Sequence, residues 1–387
     1  MKSKQCDSAY NRRLWSRLGW TRRCWRVWRE NRQGVARHRG LRDRRHRLCE
    51  EGRSLGGVQR QYSGTLGRVD NCQVAVSLHL AGEQGSGMIG YRLFLPESWA
   101  TDSERRTRAG VPDDISSATK GSLALAQLDA ALAAGVRRHV VLADAGYGDS
   151  TEFREAITQR NLHYVVAVNG EPIVWPPGSN PQIPPKPRGM TGRPRASHRD
   201  DKHPPITLKL LVPTLRFSTV KWREGSRGWQ SGRFAAVRVR TAHGHKKATA
   251  PGGEQWLLCQ QTGNAKAPYK QWLFTLPSTT SIATLVRFAK LRWRIERDYQ
   301  ELKGELGLDH FEGRTWRGFH HHHATLCAVA HGFLALRRAL SPRRRVRWTL
   351  PMVRSAMQQV LLRRIGTCPL CRRSVDAHAP PQGASCM

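Results

Sequence analysis

Three residues in the stretch from Arg287 to Arg314 (R-F-A-K-L-R-W-R-I-E-R-D-Y-Q-E-L-K-G-E-L-G-L-D-H-F-E-G-R) have the types and spacing to do chemistry. Arg292, Glu296 and Lys303 stand four and then seven residues apart, which on a helix stacks them along one face. Leu291, Ile295, Tyr299, Leu302 and Leu306 recur at steps of three and four and predict an apolar stripe of the same helix, turned to a core. A carboxylate held between two cations beside such a stripe suits a metal ligand aimed at a phosphate. The same charges also fit a solvated helix laced with salt bridges. Asp144 is the second candidate. It ends the apolar run His139-Val-Val-Leu-Ala-Asp144 and precedes Ala145-Gly-Tyr-Gly148, and open α/β sheets bind ligands at the carboxyl ends of their strands. An acid there equally suits the cap of a helix starting near Ser150.

The elements that must position these residues are legible from about Val58 onward. Gln61 to Gly67 has turn chemistry, Asn71 to Leu80 alternates as a strand, and Tyr91 to Leu95 is a short strand closed by Pro96. Lys120 to Gly135 is an Ala/Leu-rich helix with a terminal Gly. Asp144 follows on its strand, then a helix over Thr151–Arg160 and a buried strand over His163–Val168. Alternating strands and helices predict an α/β fold with a mixed or parallel sheet covered by helices. Glu171 to about Pro213 is Pro-rich and basic and reads as a loop. Thr214 to Leu276 reads as several strands, followed by the Glu296 helix and apolar helices over Ala324–Leu340 and Leu350–Ile365.

The chain of 387 residues is 39% hydrophobic, enough for one large domain or two smaller ones. Its formal net charge is +36, with a pI near 11.2, and a polyanion such as DNA is the expected partner. No run of roughly 18 apolar residues could span a bilayer. The basic start lacks the apolar stretch of a secretory signal. Nine scattered Cys show no disulfide framework, which fits a reducing cytoplasm. Residues 1–57 differ from the rest: Trp15, Trp20, Trp25 and Trp28 sit among many Arg, with no helical or strand period. They read as a basic arm for DNA phosphates, or as a non-native or disordered segment.

The order Arg-x-x-x-Glu-x-x-x-x-x-x-Lys, with Trp293 after the Arg and Ile295 before the Glu, resembles the glutamate-helix signature of insertion-sequence transposases of the DDE class. Their usual pattern has Tyr where this chain has Ala289. The run V-V-L-A-D-A-G-Y-G around Asp144 resembles the second-aspartate motif of that family. R-Q-Y-S-G-T-L-G-R-V-D-N-C-Q-V-A-V-S, R-L-F-L-P-E-S-W, E-G-R-T-W-R-G-F-H-H-H-H and L-L-R-R-I-G-T-C-P-L-C resemble further blocks, so the likeness runs from about Gln59 to Arg373. It implies a ribonuclease H-like mixed sheet with flanking helices, interrupted by a β-rich insertion. The core would begin over 58–170. The Pro-rich loop and strand insertion would occupy 171–280, the catalytic-glutamate helix and a core helix 281–340, and a basic tail 341–387. It also implies transposition of a bacterial insertion sequence by DNA cleavage and strand transfer, with the terminal repeats and target DNA as partners and a homodimer as the complex that holds them. Three carboxylates would bind two Mg²⁺ roughly 3.5–4 Å apart. Asp144 and Glu296 would be two of the metal ligands, with Arg292 and Lys303 on the nucleic acid.

The third carboxylate is missing. By the resemblance it lies on the strand before N-C-Q-V-A-V-S, in a motif like Asp-Asp-Thr-Gly-Phe-x-Lys-Lys-Gly, whose two Asp fall on Arg44 and Arg45. Written in GC-rich codons, that motif is GAC GAC ACC GGC TTT GCG AAG AAG GGC. Read from its third base it gives Arg-His-Arg-Leu-Cys-Glu-Glu-Gly, the sequence of residues 45–52. The N-terminal part is therefore expected to be translated out of frame, with the frame restored near Gly57, and the chain to be catalytically impaired. Asp43 and Glu50 are the nearest acids, but a ligand must sit close to its ideal place. The other readings are an inactive basic DNA-binding remnant and a nucleic-acid packaging protein. His320–His323 read as a fortuitous surface cluster, Cys368 and Cys371 as half a zinc site without a fitting second half, and Asp70 as a turn residue.

Overall fold

The computed structural model describes residues 25–34, 56–63, 68–82, 85–169, 172–186, 189, 197–224, 228–243, 250–263, 268–311, 313–340 and 349–365. Among them, twelve strands join in one mixed sheet. Strand β1 (Trp25–Gly34) runs between β3 (Arg68–Ala81), to which it is antiparallel, and β5 (Val141–Ala143), to which it is parallel. On the far side of β3 lie β2 (Gln59–Ser63) and β4 (Ser86–Leu93), and β6 (Tyr164–Val168) continues the sheet parallel to β5. The strand at Trp25–Gly34 corrects the expectation that residues 1–57 have no regular structure. Ladders to both neighbours use backbone groups that every composition except Pro supplies, so a strand can form where side chains show no period.

Helices cover both faces. The alternation of β3 sends Val76, Leu78 and Leu80 to one side, where they meet Ala124 and Leu128 of α3 (Lys120–Ala133) and Phe153 and Ile157 of α5 (Thr151–Gln159). Two short helices, α1 (Glu97–Ala100) and α2 (Ser103–Ala109), belong to the opposite face, where Trp99 packs with Met88 and Leu93. Helix α3 starts on Thr119, whose side chain accepts from Ser122 N–H, and Gly135 follows it at φ 82°. That left-handed turn is the one glycine accommodates.

The Pro-rich stretch is less bare than expected. It contains β7 (Ile173–Trp175), β8 (Ile206–Thr207) and α6 (Leu208–Leu211), and buries Val174, Trp175, Leu208 and Leu211. The following strands are β9 (Ser218–Arg223), β10 (Trp229–Thr241), β11 (Glu254–Gln261) and β12 (Tyr269–Phe274). They are not a separate unit. Strand β12 pairs antiparallel with β6, Phe274 opposite Val165, so these strands extend the core sheet.

The Glu296 segment is two helices rather than one. Helix α7 (Ile282–Lys290) and α8 (Trp293–Gly304) meet at Leu291 and Arg292. There the backbone stays helical, but Leu291, Arg294 and Ile295 N–H reach back only three residues, to Phe288, Leu291 and Arg292. This tightened turn splits the predicted stripe. Leu291 packs with the α7 core, beside Leu285, Val286 and Phe274, whereas Ile295, Tyr299 and Leu302 pack with Met88, Leu93 and Trp99. A π-helical turn (Gly318–Ala324) leads into α9 (Thr325–Leu340), and α10 (Leu350–Ile365) packs Leu350 and Val353 on Leu334.

Asp70 lies within β3 opposite Gln61, not in a turn, and its Oδ1 accepts the N–H of Asn71. Cys72, Cys259 and Cys327 are buried, and the Cys72 thiol lies 3.6 Å from the Gln61 carbonyl oxygen. No helix among the described residues is long and apolar enough to cross a membrane. Arg44, Arg45, Asp43, Glu50, Cys368 and Cys371 lie outside the described residues.

Candidate active site

Asp144 follows the last residue of β5. Its side chain has the parity of Leu142, pointing to the face that carries α7 and α8. It caps the short helix α4 (Ala145–Gly148), its Oδ1 accepting Gly146 N–H at 3.0 Å. The helix at Thr151 has its own cap in Ser150, which accepts Phe153 N–H at 3.1 Å. The expected alternative role of Asp144 as the cap of that later helix is thus taken by Ser150, and the acid closes the strand instead. Gly148 has to be glycine for space: a Cβ there would stand 1.9 Å from the Ala167 carbonyl oxygen, so only a bare backbone lets the turn after Asp144 lie against β6.

Glu296 reaches the same place from the first turn of α8. Arg292, at the bend between the two helices, holds both acids. Its guanidinium is 3.2 Å from Glu296 Oε1 and 3.9 Å from Asp144 Oδ2. All three remain solvent-accessible, Asp144 at 25% and Glu296 at 43% of the side chain. The structure therefore brings together Asp144, Glu296 and Arg292. Lys303 is two turns further along α8 and half-buried. Two carboxylates converging at the carboxyl end of a parallel strand could share a cation, and Arg292 supplies that charge from within the chain.

The opposite side of α8 carries a network that sequence reasoning missed. Asp298 is 1% exposed, and its Oδ2 is 2.9 Å from His79 Nδ1 of β3. His79 Nε2 lies 3.1 Å from Ser77 Oγ, which accepts from the Tyr299 hydroxyl at 2.6 Å, and Ser86 Oγ donates to Asp298 Oδ1. Ser, His and Asp follow one another as in a hydrolase triad, but Ser77 and His79 are 0% exposed, so no substrate can reach the hydroxyl. The chain of bonds is a latch that ties α8 to β3 and β4. Burial alone would raise the Asp298 pKa; the bond and charge of His79, with His331 and Ser86, outweigh it and hold the carboxyl below its ordinary value.

One turn on, Glu301 (3% exposed) accepts from Arg297 Nε at 2.9 Å, Arg338 at 3.3 Å and His331 Nε2 of α9 at 3.2 Å. It too is held below its ordinary pKa: burial raises it, and His331 and the two arginines outweigh that. The signal for both acids was present as Asp298 and Glu301 on the core side of α8, spaced with Ile295 and Leu302. Their partners in β3 and α9 are far away in sequence and could not be named from it.

His320 and His323 correct the expectation of an idle surface cluster. In the π-helical turn, His320 Nε2 lies 3.0 Å from the Tyr91 carbonyl and His323 Nε2 3.1 Å from that of Leu308. They fasten this turn to β4 and to the loop after α8.

Residues 50–229 match the family model described as DDE superfamily endonuclease. The match takes in Asp144 and ends before Glu296. It covers just under half of the chain and marks a likeness to that superfamily of endonucleases. No curated protein matches the chain.

The described residues do not by themselves complete a two-metal centre. Among the described residues no three His, Cys, Asp or Glu side chains are grouped to hold an ion. Asp144 and Glu296 form an acidic pair already bridged by a guanidinium.

Proposed function

We propose that the chain is the transposase of a bacterial insertion sequence, built to cut and join DNA ends, and that it has lost its cutting activity. The observation that carries this reading is the convergence of Asp144 and Glu296 on Arg292 beside a mixed sheet in which β5 and β6 are parallel and β3 and β4 antiparallel, an arrangement that supports a ribonuclease H-like core. The β-rich insertion is then β7 to β12, between the two acids. The family match supports the same reading.

Mg²⁺ held by three carboxylates would supply the activated oxygen and stabilise the leaving one. Among the described residues two acids stand together where three are needed, and on this reading a shifted frame over residues 45–52 removes the third. The residues that remain bind DNA: Arg292 and Lys303 on one helix face, within a chain of net charge +36. An inactive DNA-binding remnant is thus the state expected of this chain, and active transposase the state of its in-frame parent.

The test is Mg²⁺-dependent cleavage of duplexes carrying the element's terminal repeats. The chain as it stands is expected to bind and not cut. Restoring the frame in the gene is expected to restore cutting, and Glu296→Gln in that restored protein to abolish it. Cleavage by the present chain that Glu296→Gln removes would overturn the impairment. No cleavage after repair of the frame would overturn the transposase reading. A gene whose shifted frame does not encode Asp-Asp-Thr-Gly there would end the frameshift account.

A further inference from the structure

The β9–β10 ribbon presents one exposed face of distinctive composition. The two strands pair with Trp229 opposite Arg223, Ser231 opposite Lys221 and Arg233 opposite Thr219. Residues directly opposite in an antiparallel pair share a face, so these six form one face, and all six are exposed. It holds three cations and no acid. Glu224, the acid that follows β9 in sequence, accepts from Trp222 Nε1 at 3.2 Å, and Trp222 belongs to the other face.

That other face is fixed. Val220, Trp222 and Phe234 pack with Leu285, Val286 and Ala289 of α7. Lys290, the last residue of α7, puts its ammonium 4.9 Å from the Trp222 ring and 5.5 Å from those of Phe234 and Trp272, and donates to Gln260. The ribbon is therefore anchored to the helix that leads directly into Arg292 and Glu296.

Cations on an edge strand have a bland explanation, since they keep edges from pairing with other chains. It accounts for Lys221, Arg223 and Arg233 but not for Trp229. Its side chain is 73% exposed, the most exposed large apolar group among those described, and leaving an indole in water forfeits the gain from burying it. An aromatic ring beside alternating cations is how proteins hold unpaired nucleic acid: bases stack on the ring and phosphates meet the cations. Lys221 and Arg223 stand about 6.8 Å apart, two residues of antiparallel rise, a step suited to consecutive phosphates of an extended strand.

We propose that this face binds an unpaired DNA strand, with a base stacked on Trp229 and phosphates on Lys221, Arg223 and Arg233. The inference rests on the DNA-processing reading above and extends it to a surface on which neither Asp144 nor Glu296 lies. It is tested with the full chain and two probes, a blunt duplex and the same duplex with a thymine tail containing one 2-aminopurine.

Trp229→Ala is expected to weaken binding of the tailed probe by about 5- to 100-fold, to abolish the quenching of 2-aminopurine and to leave the blunt duplex unchanged; Trp229→Phe keeps the quenching. Replacing Lys221, Arg223 and Arg233 together with Gln is expected to lower the salt slope for the tail by about 2. Equal loss on both probes would overturn the unpaired-strand assignment in favour of duplex binding. Unchanged binding in all variants would overturn the ribbon surface while leaving the DNA reading intact. A wild-type chain that binds neither probe would overturn both.

Discussion

Asp298 and Glu296 sit two residues apart on α8 and do opposite work. Glu296 is half-exposed beside Asp144, whereas Asp298 is buried against His79 and Ser86. The latch decides which side of α8 faces β5, and so where Glu296 points. Asp298→Ala leaves His79 and Ser86 without their buried partner and is expected to destabilise the fold by about 3–5 kcal/mol, read as a lower urea midpoint. The pH dependence follows from the depressed pKa values of Asp298 and Glu301. A carboxyl depressed on folding adds stability that is fully present above its unfolded value, 3.8 for Asp and 4.5 for Glu, and is lost as pH falls through the folded one. Urea midpoints are therefore expected to drop below about pH 4, with a shallower drop in Asp298→Asn. An equal slope in that variant would remove Asp298 from the account.

At the scale of elements, the bend at Leu291–Arg292 lets α7 follow the extended sheet while α8 turns towards β3 and β4. Each helix has its own core, one around Phe274 and one around Met88 and Trp99. A straight helix would keep Leu291 and Ile295 on one stripe, as the spacing predicts, but could not serve both. Lys290 marks the end of α7. Burial, with the charge of Lys270, pulls its pKa down to about 8 against the opposing pull of Glu224. A lysine depressed on folding costs stability in full below its folded value. The cost fades between about 8 and the ordinary 10.5, because there the unfolded chain binds more protons and stability rises with pH. Lys290→Met is expected to remove that rise from urea midpoints measured between pH 8 and 10.5 while keeping the ribbon seated on α7. Persistence of the rise would assign it to other groups.

Over the whole molecule, the junction of β6 with β12 joins the strands β1–β6 and β7–β12 into one sheet. Phe274, 0% exposed, lies at that junction opposite Val165. Phe274→Ala is expected to cost about 3–5 kcal/mol. Hydrogen exchange should then show protection falling together in β5–β6 and in β10–β11. Loss confined to β9–β12 would show instead that these strands open by themselves.

The local elements were largely legible because each depends on residues close in sequence. The alternation of β3, the Ala/Leu pattern of α3, the run ending at Asp144, the strands from β9 to β12 and the span of α10 all carry their signal within a dozen or so residues. The types and spacing of Arg292 and Glu296, with the acid at the end of an apolar run, likewise selected the two carboxylates that the fold brings to one guanidinium. What the sequence could not supply were relations across distance. Ser77 and His79 occupy the polar half of an alternating strand, which ordinarily faces water; they are buried because α8 covers that face with Asp298 and Tyr299. The same period in β9 and β10 leaves Lys221, Arg223 and Trp229 in solvent because no helix covers that side of the ribbon. Periodicity fixes which residues share a face. Only the packing of the layers decides whether that face becomes a core, a latch or a surface left in solvent.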